Sequence, residues 1–319
     1  MRVRFWGTRG SIPVSLGTGA LQDKLVAALV RGAGQGLDTE AKARAFVERE
    51  LPFELSHTWG GNSSCVQLDV GGAEHVLCDF GSGARVFANH VLATHGPAKG
   101  QTYHVFMSHL HWDHIMGFPF FMPAYIPGNR VRLYGCHAQL EEAFRRQNAA
   151  PSFPVDFSRL GAAIEFVRLE PGPRYEIAGL GVRAKRQFHS GDSYGYRFEH
   201  AGKAVVYSTD SEHKRDDHAE TDEFVEFFRD ADLVIFDAMY SLADAYSVKE
   251  DWGHASNVVG VELAQLARVK HLCMYHHEPV FDDAKLGAVL RETRRLEEIT
   301  RTGHRVEISS AYDGMEITV

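Results

Sequence analysis

The run Ser108-His109-Leu110-His111-Trp112-Asp113-His114 constrains this chain more than any other stretch. It sets four metal-ligating side chains, His109, His111, Asp113 and His114, within six residues. It follows directly on Tyr103-His104-Val105-Phe106-Met107, an apolar run that reads as a buried strand, so the ligands fall on the loop leaving its end. In extended chain His109 and His111 point the same way, while Asp113 and His114 turn toward a second position. Two ligand sets at one strand end suit two divalent metals about 3.5–4 Å apart. Each ion then needs further ligands from distant parts of the chain.

Three other strand ends offer them. Val182 to Phe188 delivers His189, Val205-Val206-Tyr207 delivers Asp210 after Ser208-Thr209, and His271 to Tyr275 delivers His276 and His277. A lone histidine is more often a satisfied surface or core residue, and with 18 histidines in the chain a single candidate means little. Three strand-end candidates in succession are harder to dismiss. Oxygen and nitrogen ligands without thiolate suit zinc, with manganese and iron as alternatives.

The His-x-His-x-Asp-His run resembles the signature of the metallo-β-lactamase superfamily. That resemblance implies an α+β fold, an αββα sandwich of two mixed sheets with outer helices. It assigns His109, His111 and His189 to one metal, Asp113, His114 and His276 to the other, and Asp210 as the bridge between them. His277 is an alternative to His276, which is favoured because it comes first after the apolar strand.

Asp210 after Tyr207-Ser208-Thr209 looks like the phosphodiester-cleaving branches of the superfamily rather than the β-lactam hydrolases. Trp252-Gly253-His254-Ala255-Ser256 resembles the segment that supplies a proton-donating histidine in tRNA 3′-processing nucleases, and its alternative reading is a helix N-cap with a passing histidine. Phe5 to Pro13, Gly60 to Cys65 and Asp237-Ala238-Met239-Tyr240 are similar to bacterial metallo-hydrolases described as cyclic-nucleotide phosphodiesterase-like. The resemblance spans nearly the whole chain outside Leu16 to Leu55. It implies a dinuclear-metal hydrolase of phosphodiesters, first of 3′,5′-cyclic nucleotides. Hydroxide held between the metals would attack phosphorus, Asp113 would orient that water as well as ligate, and His254 would protonate the leaving oxygen. A tRNA 3′-end endonuclease and a thioester hydrolase are the alternatives on the same fold. A non-catalytic binding module is disfavoured, because it has no need of the full ligand set. Trp112, Phe118, Phe120, Phe121 and Tyr125 offer stacking surfaces for a base, although such residues are more often core.

Composition narrows the partners. Hydrophobic residues at 44% and charged residues at 24% of 319 are ordinary for a globular protein with an ample core. A net charge of -8, and no long basic or Gly/Pro-rich arm between His114 and His189, argue against nucleic acid as a partner. No apolar run approaches the roughly 20 residues of a membrane span, and the N-terminus starts as a strand without a signal-peptide core. Cys65, Cys78, Cys136 and Cys273 are scattered without a Cys-x-x-Cys pair. A cytoplasmic protein is expected. Residues 1–319 read as one domain with a helical insertion at about 16–55, where Leu21, Leu25, Ala28 and Leu29 recur at helical spacing. That insertion reads as packing, a lid or the contact of a homodimer.

Overall fold

The computed structural model describes residues 1–97, 100–213, 218–239 and 254–319. Its strands form two seven-stranded sheets. The first holds β1 (Arg2–Gly7), β2 (Cys65–Asp69), β3 (His75–Cys78), β4 (Thr102–Phe106), β5 (Arg130–Gly135) and β6 (Ala163–Arg168) in sequence order. The second holds β7 (Arg174–Ile177), β8 (Leu180–Gln187), β9 (Ser193–His200), β10 (Lys203–Ser208), β11 (Leu233–Asp237), β12 (His271–Tyr275) and β13 (Glu307–Ser310). The last strand, β14 (Glu316–Thr318), returns to the first sheet and pairs antiparallel with β1. Each sheet is mixed. β3 to β6 are parallel, as are β10 to β13, and the other neighbours are antiparallel.

Parallel neighbours need crossover connections, and helices supply them. Three helices, α1 (Thr18–Gly32), α2 (Glu40–Arg49) and α3 (Phe53–Ser56), stand between β1 and β2. Then α4 (Gly83–His95) links β3 to β4, α5 (Trp112–Ile115) opens the connection from β4 to β5, and α6 (Leu140–Gln147) links β5 to β6. In the second sheet α7 (His218–Phe228), α8 (Asn257–Leu266) and α9 (Asp283–Thr300) follow β10, β11 and β12 in turn.

The central strands are apolar on both faces because both faces are covered. Side chains alternate along a strand, so Val205 and Tyr207 of β10 enter the layer between the sheets while Val206 meets the outer helices. β11 and β12 repeat the pattern, with Ile235, Cys273 and Tyr275 inward and Val234, Phe236, Leu272 and Met274 outward. Val3, Phe5, Val66, Leu68 and Phe106 close the inner layer from the first sheet. Outside that sheet Phe80, Phe87, Val91, Leu133 and Phe144 form a second apolar layer; Phe224, Phe228, Val261 and Val289 belong to a third, outside the other. Each such side chain contributes about 1.5–3 kcal/mol on burial. This is the α+β, αββα sandwich expected from the sequence. No described helix is long and apolar enough to cross a membrane.

The expected helices of the 16–55 segment are present. α1 buries none of its residues, and Leu25, Val26, Leu29 and Val30 lie exposed. It is tied down by Lys24 Nζ, which donates to Asp283 Oδ2 at 2.5 Å and to the His57 carbonyl at 2.6 Å.

Candidate metal centre

The carboxyl ends of the parallel strands from both sheets meet at one end of the sandwich, the usual place for a site in sheets of this kind. β4 leads into the 108–114 run, the β8–β9 loop carries His189, and β10, β11 and β12 end at Asp210, Asp237 and His276. Asp79, Asp210 and His276, all just beyond strand ends, have φ of 62°, 47° and 59°. Left-handed backbone costs about 1–3 kcal/mol at a non-glycine residue, and aspartate and histidine are among those that tolerate it. Three such turns around one point bring polar side chains back into the space between the sheets.

All seven residues singled out as ligands lie in this cluster. His109, His111 and His189 form one group in which ligand atoms lie within 4.8 Å of one another, and Asp113, His114 and His276 form another. Asp210 stands between them. Its Oδ2 is 3.6 Å from His109 Nε2, 3.3 Å from His276 Nε2 and 3.8 Å from His189 Nε2, and its Oδ1 is 3.3 Å from His114 Nε2. His111 Nδ1 is 3.1 Å from His189 Nε2. Asp113 Oδ2 is 3.1 Å from both His114 Nε2 and His276 Nε2. Of the adjacent pair, His276 faces the cluster. His277 turns away, and its Nε2 donates to the Ala311 carbonyl at 2.8 Å; burial lowers it to about 3.

Buried donors and acceptors fix how these groups face inward. Asp79 is fully buried and accepts from His114 Nδ1, Ser108 N, Ser108 Oγ and Tyr207 OH, each at 2.7 Å. A proton held on His114 Nδ1 turns the Nε2 lone pair toward Asp113, Asp210 and His276, the arrangement a ligand histidine needs. His114 Nε2 and His276 Nε2 lie 3.2 Å apart. Two imidazole nitrogens and two carboxylates converging this closely is a donor set for a cation. His109 Nε2, buried and without a hydrogen-bond partner among the described residues, looks at Asp210 from beyond hydrogen-bond range. Without a cation among them, the carboxylates here call for positive charge on the rings themselves. Burial alone would lower His114, yet Asp113, Asp210 and Asp79 outweigh it and hold the ring well above the ordinary histidine range. Burial would raise Asp210, and His276, His114 and His109 instead hold it well below the carboxylate range. The residues present fit divalent metal ions.

His254 sits at the edge of the same cluster. Its Nδ1 is 2.9 Å from Asp237 Oδ2 and 3.9 Å from Asp210 Oδ2, and its ring lies 5.0 Å from that of His189. Burial opposes the charged form, but the neighbouring Asp237 carboxylate raises it to about 9. Asp237 also accepts from Ser211 N and Met239 N, so the acceptor is itself fixed. Trp252 and Gly253 of the His254 segment, Tyr240 of the Asp237 segment, and 214–217 lie outside the described residues. Among the aromatic residues read as stacking surfaces, Phe118 and Phe121 are core, and the Tyr125 hydroxyl donates to the Pro119 carbonyl. Trp112 and Phe120 are exposed.

Sequence reasoning gave no role to Asp79 or Asp237, and none to the backbone at Gly10 and Ser11. Ser11 N donates to Asp113 Oδ2 at 2.8 Å, orienting that carboxylate from the opening loop of the chain. A Cβ on Gly10 would lie 2.5 Å from His276 Cε1 and 2.6 Å from its Nδ1. Gly10→Ala therefore displaces the His276 ring. Turnover and metal content are expected to fall roughly 10- to 100-fold, the usual cost of disturbing the support of a ligand. Elemental analysis beside a circular dichroism spectrum checks this; wild-type metal content would show that the ring has room to move.

The family model described as "Beta-lactamase superfamily domain" matches residues 74–277. A ribonuclease Z of Staphylococcus saprophyticus is 26% identical over 130 residues, 39% of this chain and 38% of that protein. A ribonuclease Z of Thermoplasma acidophilum is 23% identical over 243 residues, 60% of this chain and 74% of that protein. The match thus spans little over a third of the first relative. Among solved structures, the metallo-beta-lactamase fold protein YhfI of Bacillus subtilis superposes with a TM-score of 0.64 at 16% identity, covering 99% of this chain and 98% of that one. With the family match over the strands and loops that build most of the cluster, the chain belongs to the beta-lactamase superfamily.

Proposed function

We propose that this protein hydrolyses phosphodiester bonds, with 3′,5′-cyclic nucleotides as the leading substrate class. The observation that carries the reading is Asp210, buried between two ligand groups with His254 on the rim. His109, His111 and His189 would hold one divalent ion, Asp113, His114 and His276 the other, and Asp210 both, with zinc favoured by the nitrogen and oxygen donors. Two such ions supply neutralisation of phosphoryl charge and water acidified toward neutral pH.

The chain's own residues do the rest. Asp79 keeps His114 in one tautomer, and Ser11 N keeps Asp113 in one orientation. Asp113, itself part of the second group, also accepts a hydrogen bond from attacking water. His254 commits its Nδ1 proton to Asp237, which assigns Nε2 as the atom that hands a proton to the leaving oxygen. That atom is the general acid.

RNA 3′-end processing is the second reading, favoured by the two ribonuclease Z relatives. They count against the expectation that disfavours nucleic acid as a partner. One panel separates the readings: purified protein supplied in turn with zinc and manganese, and assayed on 3′,5′-cyclic AMP, GMP, CMP and UMP and on a tRNA with a 3′ extension. Ring opening of the cyclic nucleotides is expected. Cleavage of the tRNA alone would replace the first reading with the second, and turnover of neither would reject phosphodiester hydrolysis.

A further inference from the structure

Two large aromatic side chains stand in solvent directly beside ligand histidines. Trp112 follows His111 and is 80% exposed; Phe188 precedes His189 and is 56% exposed. His111 and His189 touch, Nδ1 to Nε2 at 3.1 Å, so each aromatic is one residue along the chain from the same three-histidine group. Neither residue has a loose backbone. Trp112 is the first residue of α5, its carbonyl accepting from Met116 N at 2.7 Å, and the Phe188 carbonyl accepts from Glu212 N at 2.8 Å in a bridge between neighbouring loops. The same connection after β4 buries Phe118 and Phe121 completely. A tryptophan this exposed is unusual on a surface, and two exposed aromatics so close in the chain to one polar group suit a ligand with an apolar part.

Phe188 also borders a cavity of about 800 Å³ that runs between β8 and α7, with Phe227, Arg183, Lys185 and Arg186 on its walls. That volume falls in the range of small-molecule sites. Asp222, Glu223 and Glu226 line it too, and Lys185 pairs with Glu223, so the walls carry as many acids as bases. Such a groove suits a neutral planar group better than a string of phosphates.

We infer that Trp112 and Phe188 form a platform for a nucleobase, making the substrate a phosphodiester that carries a base. The inference rests on the phosphodiester reading for the reaction but not for the binding. A planar, uncharged base stacks on either ring, while its phosphate reaches the cluster one residue away. Stacking of this kind shifts affinity between about fivefold and a hundredfold per base.

The test is calorimetric binding to the full chain of adenosine 5′-monophosphate and of ribose 5-phosphate, which differ only in the base. The wild type is expected to bind the nucleotide at least fivefold more tightly. Trp112→Ala and Phe188→Ala should each remove most of that preference and leave ribose 5-phosphate affinity unchanged. Both side chains are exposed, so neither variant threatens the fold. Equal affinity of the wild type for the two ligands, a preference that survives both substitutions, or no measurable binding of the nucleotide would overturn the platform. Because neither ligand is a phosphodiester, this result stands apart from the turnover panel. A protein that binds bases but opens no diester would sink the reaction and keep the platform.

Discussion

Asp210→Ala is expected to lower phosphodiester turnover by at least about a thousandfold, on the order of 4 kcal/mol of barrier, with the fold intact. Five imidazoles approach this one carboxylate: His114 and His276 at 3.3 Å, His109 at 3.6 Å, His189 at 3.8 Å and His254 at 3.9 Å. Asp113, on the far side, reaches only the second group. Removing Asp210 takes away the one acceptor, among the described residues, common to both halves. Asp210→Asn separates charge from shape, since it keeps the volume and can still accept from Thr209 Oγ1. If the charge is what matters, the asparagine variant loses nearly as much activity as the alanine variant, and metal content falls in both. Measured together, turnover, bound metal and the far-ultraviolet spectrum decide it. An alanine variant with a tenth of wild-type activity would remove Asp210 from the centre of the mechanism.

The next largest effect is expected at His254, and its size should depend on the leaving group. Proton transfer by a positioned side chain contributes about 10²–10⁴-fold, but only where the departing oxygen needs the proton. His254→Ala is therefore expected to cut kcat by that factor on an alkyl phosphodiester such as a cyclic nucleotide. It should cost far less on a p-nitrophenyl ester, whose leaving oxygen departs as a stable anion. Bound metal should stay at the wild-type level. Asp237→Asn keeps the ring but weakens its anchor, so it should fall between wild type and His254→Ala on the alkyl ester. A uniform loss on both esters, accompanied by loss of metal, would mean that His254 is a ligand instead, since it also groups with His189 and Asp210.

What could be read from the sequence and what could not have separate physical origins. The 108–114 run was legible because its candidate ligands are local and follow an apolar strand. His189, Asp210 and His276 were legible because each also ends a strand, so topology needed only to point those ends one way. Asp79 was not, although it too follows an apolar strand: one acid before Phe80-Gly81 looks like any turn residue until Ser108, His114 and Tyr207 are seen to share it. The preference for His276 over His277 had only chain order behind it. The left-handed turn at His276 and the Ala311 carbonyl that receives His277 are facts of tertiary structure. Phe118 and Phe121 could not be told from Phe120 by pattern, because short 3₁₀ turns impose no apolar period. The return of β14 to β1 was equally hidden, since three residues of alternating chain carry no mark of their partner.

The origin of the clustered residues has a mechanical consequence. Asp79, His109, His111, Asp113 and His114 leave strands of one sheet, whereas His189, Asp210, Asp237, His254 and His276 come from the strands and connections of the other. Between the sheets lie mostly apolar side chains such as Phe5, Phe106 and Phe198, with a few directional ties across the gap, among them the Tyr196 hydroxyl to the Met107 carbonyl and the Tyr275 hydroxyl to the Gly7 carbonyl, each at 2.8 Å. The polar cluster at the end of the sandwich is directional, and a shift of about an ångström between layers separates its two halves. A cation held by these residues would act as a rivet through both plates. Catalytic geometry and the registry of the two sheets are then one property of the molecule, and a substitution deep between the layers, far from any reacting atom, reaches the chemistry by letting the plates slip.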